Sequence, residues 1–307
     1  MAAATTMIEQ QLSFVELDAS SDWKKLDDEI STVEEKGEVM EAKKIAASAV
    51  AAAREAGDGN SANSDRLLHC LECRANLFNR QGDYGAAKDD YLEAVSLAAG
   101  ESGKEGTLGR LYGNLAYLFE LVGDDEQAID AYERALEQLG RLREPVVLDE
   151  IRLANNLAFI YSAQDDFDQA ETLFLKALKL AHEKLGEADP DSTGIFNNIG
   201  ALYQKAGHLE QAHEMHFMAL EGRKENGSSQ ADIAQSYANL AIVLAEEGDE
   251  EKSRGHFENA LKFYQKAGPE FTADYEAVCA NYQQLLRNVG DKEGEERVGK
   301  LLTKGIS

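Results

Sequence analysis

Seven short turns, most of them glycine followed by an acidic residue, recur at near-constant distance and constrain this chain more than any other feature. They are Gly37-Glu38, Gly82-Asp83, Gly123-Asp124, Asp165-Asp166, Gly207-His208, Gly248-Asp249 and Gly290-Asp291. Successive turns are 45, 41, 42, 42, 41 and 42 residues apart. A period of this length means that one supersecondary unit is copied along the chain and buries its apolar face only against its copies.

The units are helical. Before each turn the apolar residues fall three and four apart, as in Leu111-Tyr112-x-x-Leu115-Ala116-x-x-Phe119, Leu153-Ala154-x-x-Leu157-Ala158-x-x-Tyr161 and Ile195-Phe196-x-x-Ile199-Gly200-x-x-Tyr203. That spacing lays one stripe along a helix. Five residues after each turn comes a small residue, then an aromatic four later and an alanine three beyond: Ala87, Tyr91, Ala94; Ala128, Tyr132, Ala135; Ala170, Phe174, Ala177. Small side chains at Ala116, Ala158, Gly200 and Ala241 let the two helices approach, and the aromatic fills the gap toward the next unit. The expected fold is therefore all-α, a superhelical solenoid of antiparallel helix pairs with about six to seven repeats and a period of about 42 residues.

The end units depart from this grammar. Around Gly37 the alanines Ala42, Ala46 and Ala49 come without an aromatic, and after Gly290 the two slots hold Glu295 and Gly299, so both units are read as caps. The expected organisation is an N-terminal extension, partly disordered, over residues 1–22, the solenoid over 23–290, and a C-terminal capping helix over 291–307. Between units, Gly140 with Pro145, Gly186 with Pro190 and Gly268 with Pro269 stop one helix and start another. The Gly100 to Gly106 segment is glycine-rich but lacks the spacing, the following Ser or Thr and the preceding strand of a phosphate-binding loop, and is read as a connection.

Charge narrows the partners. The 31 Lys and Arg stand against 57 Asp and Glu, a formal net charge of −26, which repels nucleic acid and anionic lipid. Three cysteines suggest no disulfide framework and agree with a reducing cytoplasm. Met1 to Gln11 hold neither the basic residues nor the apolar run of a secretory leader, and no stretch reaches ~18 consecutive apolar residues, the length a membrane span needs. His69, Cys70 and Cys73 share a helix face without further ligands at metal-binding range, and His213 and His216 are three apart where a zinc-protease helix needs four, so packed thiols and a packing histidine are expected and no metal. With no catalytic constellation and no cofactor motif, the expectation is a cytoplasmic protein that is not an enzyme.

The small-aromatic-alanine pattern resembles the tetratricopeptide family, whose usual period is 34 residues; the excess fits helices longer by about a turn each. Within that family, the period, the Asn-Asn-Leu-Ala at Asn155 to Ala158, the Asn-Asn-Ile-Gly at Asn197 to Gly200 and the linker Lys184-Leu185-Gly186-Glu187-Ala188-Asp189-Pro190 resemble kinesin light chain repeats, most specifically over residues 150–222. The repeats around Gly82, Gly123 and Gly248 lack that linker, and Met1 to Asp22 is too short for the long heptad coiled coil of a light chain. The chain is thus similar to the compact kinesin-light-chain-like proteins of bacteria that accompany bacterial tubulin. This resemblance implies an adaptor that links bacterial tubulin filaments, or a cargo, to another partner, associated with the cytoskeleton. A peptide-sensing regulator or co-chaperone is the alternative. A link to membranes through Arg297, Lys300 and Lys304, interleaved with Val298, Leu301, Leu302 and Ile306, is a weaker one, against a helix that covers the last repeat.

Binding is expected on the concave wall formed by the first helices. That face carries one asparagine per repeat, Asn114, Asn156, Asn198, Asn239 and Asn281, with Asn155 and Asn197 beside two of them. Asparagine is a mediocre helix residue, so its recurrence needs a cause. Either each carboxamide offers donors and an acceptor to the backbone of an extended ligand, or the amides tie neighbouring first helices together. Arg110, Arg152 and Lys205 on the same wall are candidates for an anion-accepting patch, and Tyr117 and Phe159 for contacts to an apolar side chain; solvated surface charges are the plainer reading of the cations.

Overall fold

A computed structural model describes residues 23–57, 61–143 and 146–306. The extension expected over 1–22 and the proline at 145 lie outside the described residues. Every regular element among those described is helical: fourteen α-helices and two single-turn 3₁₀ segments, Trp23–Lys25 and Pro269–Phe271.

The chain divides into two compact units, one ending at Pro145 and the other starting at Val146. In the first, three hairpins pair α1 (Leu26–Glu35) with α2 (Val39–Glu55), α3 (Ser61–Arg80) with α4 (Tyr84–Ala99), and α5 (Glu105–Leu121) with α6 (Asp125–Leu139). In the second, four hairpins pair α7 (Val147–Ala163) with α8 (Phe167–Lys184), α9 (Pro190–Lys205) with α10 (Leu209–Glu225), α11 (Gln230–Glu247) with α12 (Glu250–Ala267), and α13 (Thr272–Asn288) with α14 (Lys292–Lys304). Within each unit the second helix of a hairpin packs against the first helix of the next.

The glycine-acid dipeptide serves two helix ends at once. Gly82, Gly123, Gly248 and Gly290 all adopt φ between 74° and 84°, the left-handed region that glycine enters without a Cβ penalty. The acidic residue that follows donates its backbone N–H to a carbonyl five residues back, Asp83 to Phe78 and Asp124 to Phe119 at 2.9 Å, which closes the first helix. Its carboxylate then accepts from the backbone N–H three residues on, Asp83 from Ala86, Asp124 from Gln127, Asp249 from Lys252, and caps the second helix. Asp165 takes the glycine slot at φ 63°, the one non-glycine residue with positive φ among those described.

The core follows the small-aromatic-alanine pattern. Tyr91, Tyr132, Phe174, His216 and Phe257 are each 1% exposed in the aromatic slot, and Ala116, Ala158 and Ala241 opposite are fully buried. Gly200 faces His216 so closely that a β-carbon there would lie 2.7 Å from the imidazole, which explains why that hairpin alone uses glycine. The Leu-Gly-x-x-x-Pro linker has an equally local cause. Gly186 turns at φ 96°, Asp189 caps α9 by accepting from the Asp191 N–H at 2.9 Å, and Pro190 occupies the first helical position, where a missing N–H leaves nothing unsatisfied.

The last helix differs from the expected register. Its cap is regular, with Asp291 accepting from the Gly294 N–H at 2.9 Å. The buried residues, however, are Gly294 and Val298, one position before Glu295 and Gly299. Leu301, Leu302 and Ile306 pack against the same core as Val298. The apolar residues that a membrane-lying α14 would need are therefore spent covering the last repeat. No described helix is long and apolar enough to cross a membrane.

Candidate protein-binding face

In both units the first helices lie side by side, and the asparagines fall on the face they form. Counting back from each turn, the recurring asparagine is nine residues before the glycine slot, and the residue just before it is ten. The structure joins these two positions across repeats. Asn198 donates its Nδ2 to Asn155 Oδ1 at 2.9 Å, Asn239 donates to Asn197 Oδ1 at 2.7 Å, and in the first unit Asn114 donates to Glu72 Oε1 at 3.4 Å. Asn155 further donates to Asn156 Oδ1 at 3.3 Å. A carboxamide both donates and accepts, so one Asn-Asn pair passes the bond from repeat to repeat. The amides thus hold neighbouring first helices in register along a half-buried face. Asn281 is the exception: it is exposed, and its counterpart in the preceding repeat is Ala238, which offers no side-chain acceptor.

The three cations expected on this face are already paired. Arg110 forms a two-pronged ion pair with the nearly buried Glu72, Nε to Oε1 at 2.6 Å and Nη2 to Oε2 at 2.7 Å. Arg152 reaches Asp191 at 3.2 Å. Lys205 donates to the Ser162 carbonyl at 2.7 Å, at the C-terminal end of α7 where a helix carries partial negative charge, and meets Asp165 at 2.6 Å. Arg110 belongs to the first unit and Arg152 and Lys205 to the second, and each of the three already meets a carboxylate. Tyr117 and Phe159 occupy the same slot of α5 and α7 and are 49% and 56% exposed, as an interaction residue must be.

Elsewhere the polar chemistry is inward. Cys70, Cys73 and Cys279 are buried free thiols, and burial pushes all three up in pKa, away from the reactive thiolate. His69 lies 3.4 Å from the Cys73 sulfur and edge-on to Trp23, with its pKa lowered chiefly by burial. Burial, and then the charge of Arg223, push His216 down to about 4, and neither ring nitrogen has a hydrogen-bond partner among the described residues. It is a neutral packing group in the aromatic slot.

Sequence reasoning missed Glu72, the acceptor for both Arg110 and Asn114. The signal was its place, immediately before the asparagine slot and matching Asn155 and Asn197 of later repeats.

The tetratricopeptide repeat, as a sequence family, matches residues 67–139 and 149–225, and a second form of the same repeat matches 233–267, together more than half of the chain. No curated protein sequence matches. Among solved structures, BtubC (BKLC) from P. vanneervenii is 26% identical, with a TM-score of 0.64, over 74% of this chain and 91% of its own. A putative kinesin light chain of Podosopora anserina with nearly identical TPR-like repeats is 17% identical, with a TM-score of 0.56, over 66% of this chain and 95% of its own. The apo form of RapI is 15% identical, with a TM-score of 0.59, over 77% and 96%. At that identity the last two share the fold alone.

Proposed function

Since the chain belongs to the tetratricopeptide repeat family, with repeats of the kinesin-light-chain type, we propose that it works without catalysis as an adaptor, holding bacterial tubulin filaments through the face of its first helices and presenting them to a second partner. The coarser statement, a scaffold for protein or peptide partners, follows from the repeat itself, which stacks hairpins into an extended polar surface. The likeness to BtubC over 74% of the chain is the observation that carries the finer one. Half-exposed Tyr117 and Phe159 support a protein ligand, because aromatic side chains with open faces dominate such interfaces. The net charge of −26 argues that the filament contact uses basic patches on the partner.

Mixing the full chain with assembled bacterial tubulin at physiological salt and pelleting the filaments tests the proposal. The chain is expected in the pellet, and Tyr117→Ala or Phe159→Ala is expected to reduce its share. A chain that stays in the supernatant at concentrations that saturate the filaments would remove tubulin as the partner and leave the scaffold.

A further inference from the structure

The seams between first helices in the second unit are not equivalent. Between α7 and α9 the asparagine bond from Asn198 to Asn155 is joined by bonds from Lys205 to the Ser162 and Ala163 carbonyls and from Arg152 to Asp191. Between α9 and α11 the asparagine bond from Asn239 to Asn197 is joined by one from Gln204 Nε2 to Glu246 Oε1 at 2.9 Å. Between α11 and α13 neither kind forms. Asn281 faces a repeat that has Ala238 in the acceptor position, and Asn288 turns back along its own helix to accept from Gln284 at 2.8 Å.

A cavity of about 430 Å³ opens along this seam. Its floor is apolar, built from Ile242 and Ala245 of α11, from Leu285 in the last turn of α13 and from Val289 just after it. At its rim stand Asn281, whose carboxamide bonds to no described residue, and the carboxylates of Glu246 and Glu250, neither of which pairs with a described cation. No lining residue is basic. An apolar floor with one unspent amide and two unneutralised carboxylates asks for a ligand with a bulky apolar group, backbone hydrogen-bonding groups and positive charge beside them.

We propose that this cavity receives one apolar side chain of an extended basic segment of a partner protein. The Asn281 carboxamide bonds the segment's backbone, and Glu246 and Glu250 meet Lys or Arg on either side of the anchor. The inference rests on the adaptor reading and gives its partner a chemistry. Charge complementarity selects this occupant over the chain itself. A second copy brings a net charge of −26 to a negative rim, and residues 1–22 contain acidic residues but no Lys or Arg.

The test uses the full chain and fluorescein-labelled decapeptides read by anisotropy. A central Leu, Phe or Ser is flanked in turn by Lys-Arg, Ser-Gly or Asp-Glu pairs. Leu or Phe between basic pairs is expected to bind at least about tenfold more tightly than the same residue between acidic pairs or than Ser between basic pairs. Ala245→Phe, which fills the cavity, is expected to abolish the difference between Leu and Ser, and Glu246→Lys with Glu250→Lys to invert the charge preference. Melting curves of each variant, matched to the parent, exclude misfolding, and Asn281→Ala, at an exposed position, supplies a second variant if Ala245→Phe unfolds. Equal binding of all peptides would overturn the proposal. So would selective binding that both Ala245→Phe and Asn281→Ala leave unchanged, an outcome that keeps the scaffold and moves its site. Loss of filament co-sedimentation with peptide selectivity intact would sink the tubulin reading and not this one.

Discussion

Hairpins α7–α8 and α9–α10 are neighbours built on one pattern, and each breaks it in a different place. The first keeps the core rule, with Phe174 against Ala158, and breaks the turn rule by putting Asp165 in the left-handed slot. The second keeps glycine in the turn, at Gly207, and breaks the core rule with His216, answered by Gly200. A departure in the core is met by a second departure directly opposite. One in the turn is tolerated where aspartate is among the few side chains that enter the left-handed region, with the following Asp166 still capping α8. What the period conserves is thus the volume of each slot and the shape of each turn, and the residue type follows from those.

The largest expected effect is on the regular core. Phe174→Ala should lower the stability measured by chemical denaturation by about 3–5 kcal/mol through the cavity it leaves. Next is acid. A histidine whose pKa is held at about 4 when folded refuses a proton that the unfolded chain accepts near its ordinary value of 6.5. Its contribution is whole above that pH, declines as pH falls from 6.5 toward 4 and is flat below, a loss of roughly 3 kcal/mol. His69 and His256 are shifted the same way by burial, so the check is the difference between the parent and His216→Phe across the pH range. If that difference does not change with pH, His216 does not titrate as its burial requires.

Gly200→Ala should cost about 1–3 kcal/mol by pressing on His216, and far less in a His216→Ala background, whereas Ala158→Gly, its counterpart in the neighbouring hairpin, should cost about 1 kcal/mol or somewhat more through backbone entropy and the loss of a buried methyl. Asn198→Ala should cost about 1 kcal/mol by breaking the bond to Asn155. Melting and partner affinity measured together on that variant separate the two roles of the amides, since a loss of stability without a loss of affinity assigns Asn198 to the seam. The smallest effect has the opposite sign. Asp165→Gly should raise stability by about 1 kcal/mol or less, because it relieves the left-handed backbone and gives up only an exposed ion pair with Lys205.

The helix pairs, the turns and the slots were legible because each depends on residues within one hairpin, where spacing translates directly into a face. The asparagine face was legible as a recurrence, and a tie between neighbouring first helices as one of its two readings, but the partner of each amide was not. Linking Asn198 to Asn155 requires the stagger between two helices 43 residues apart, and no local pattern encodes that offset. The same limit hid the partners of Arg110 and Lys205 and made them read as open charge. The register of α14 failed for another reason. Gly294 and Val298 face Leu286 and the core around it, one position away from the slots that the inner repeats use, so the pattern of those repeats does not carry over to this helix.

The aspartate shared by both helices at five of the seven hairpin tips limits how such a protein diversifies. One aspartate that ends a helix and begins the next leaves no room for an inserted or deleted amino acid, since either would rotate every later side chain of that hairpin by about 100°. Length change is confined to the links between hairpins, where the 41-, 42- and 45-residue spacings already differ. Descendants of this chain can lengthen those links and trade side chains on the exposed face while every hairpin keeps its geometry.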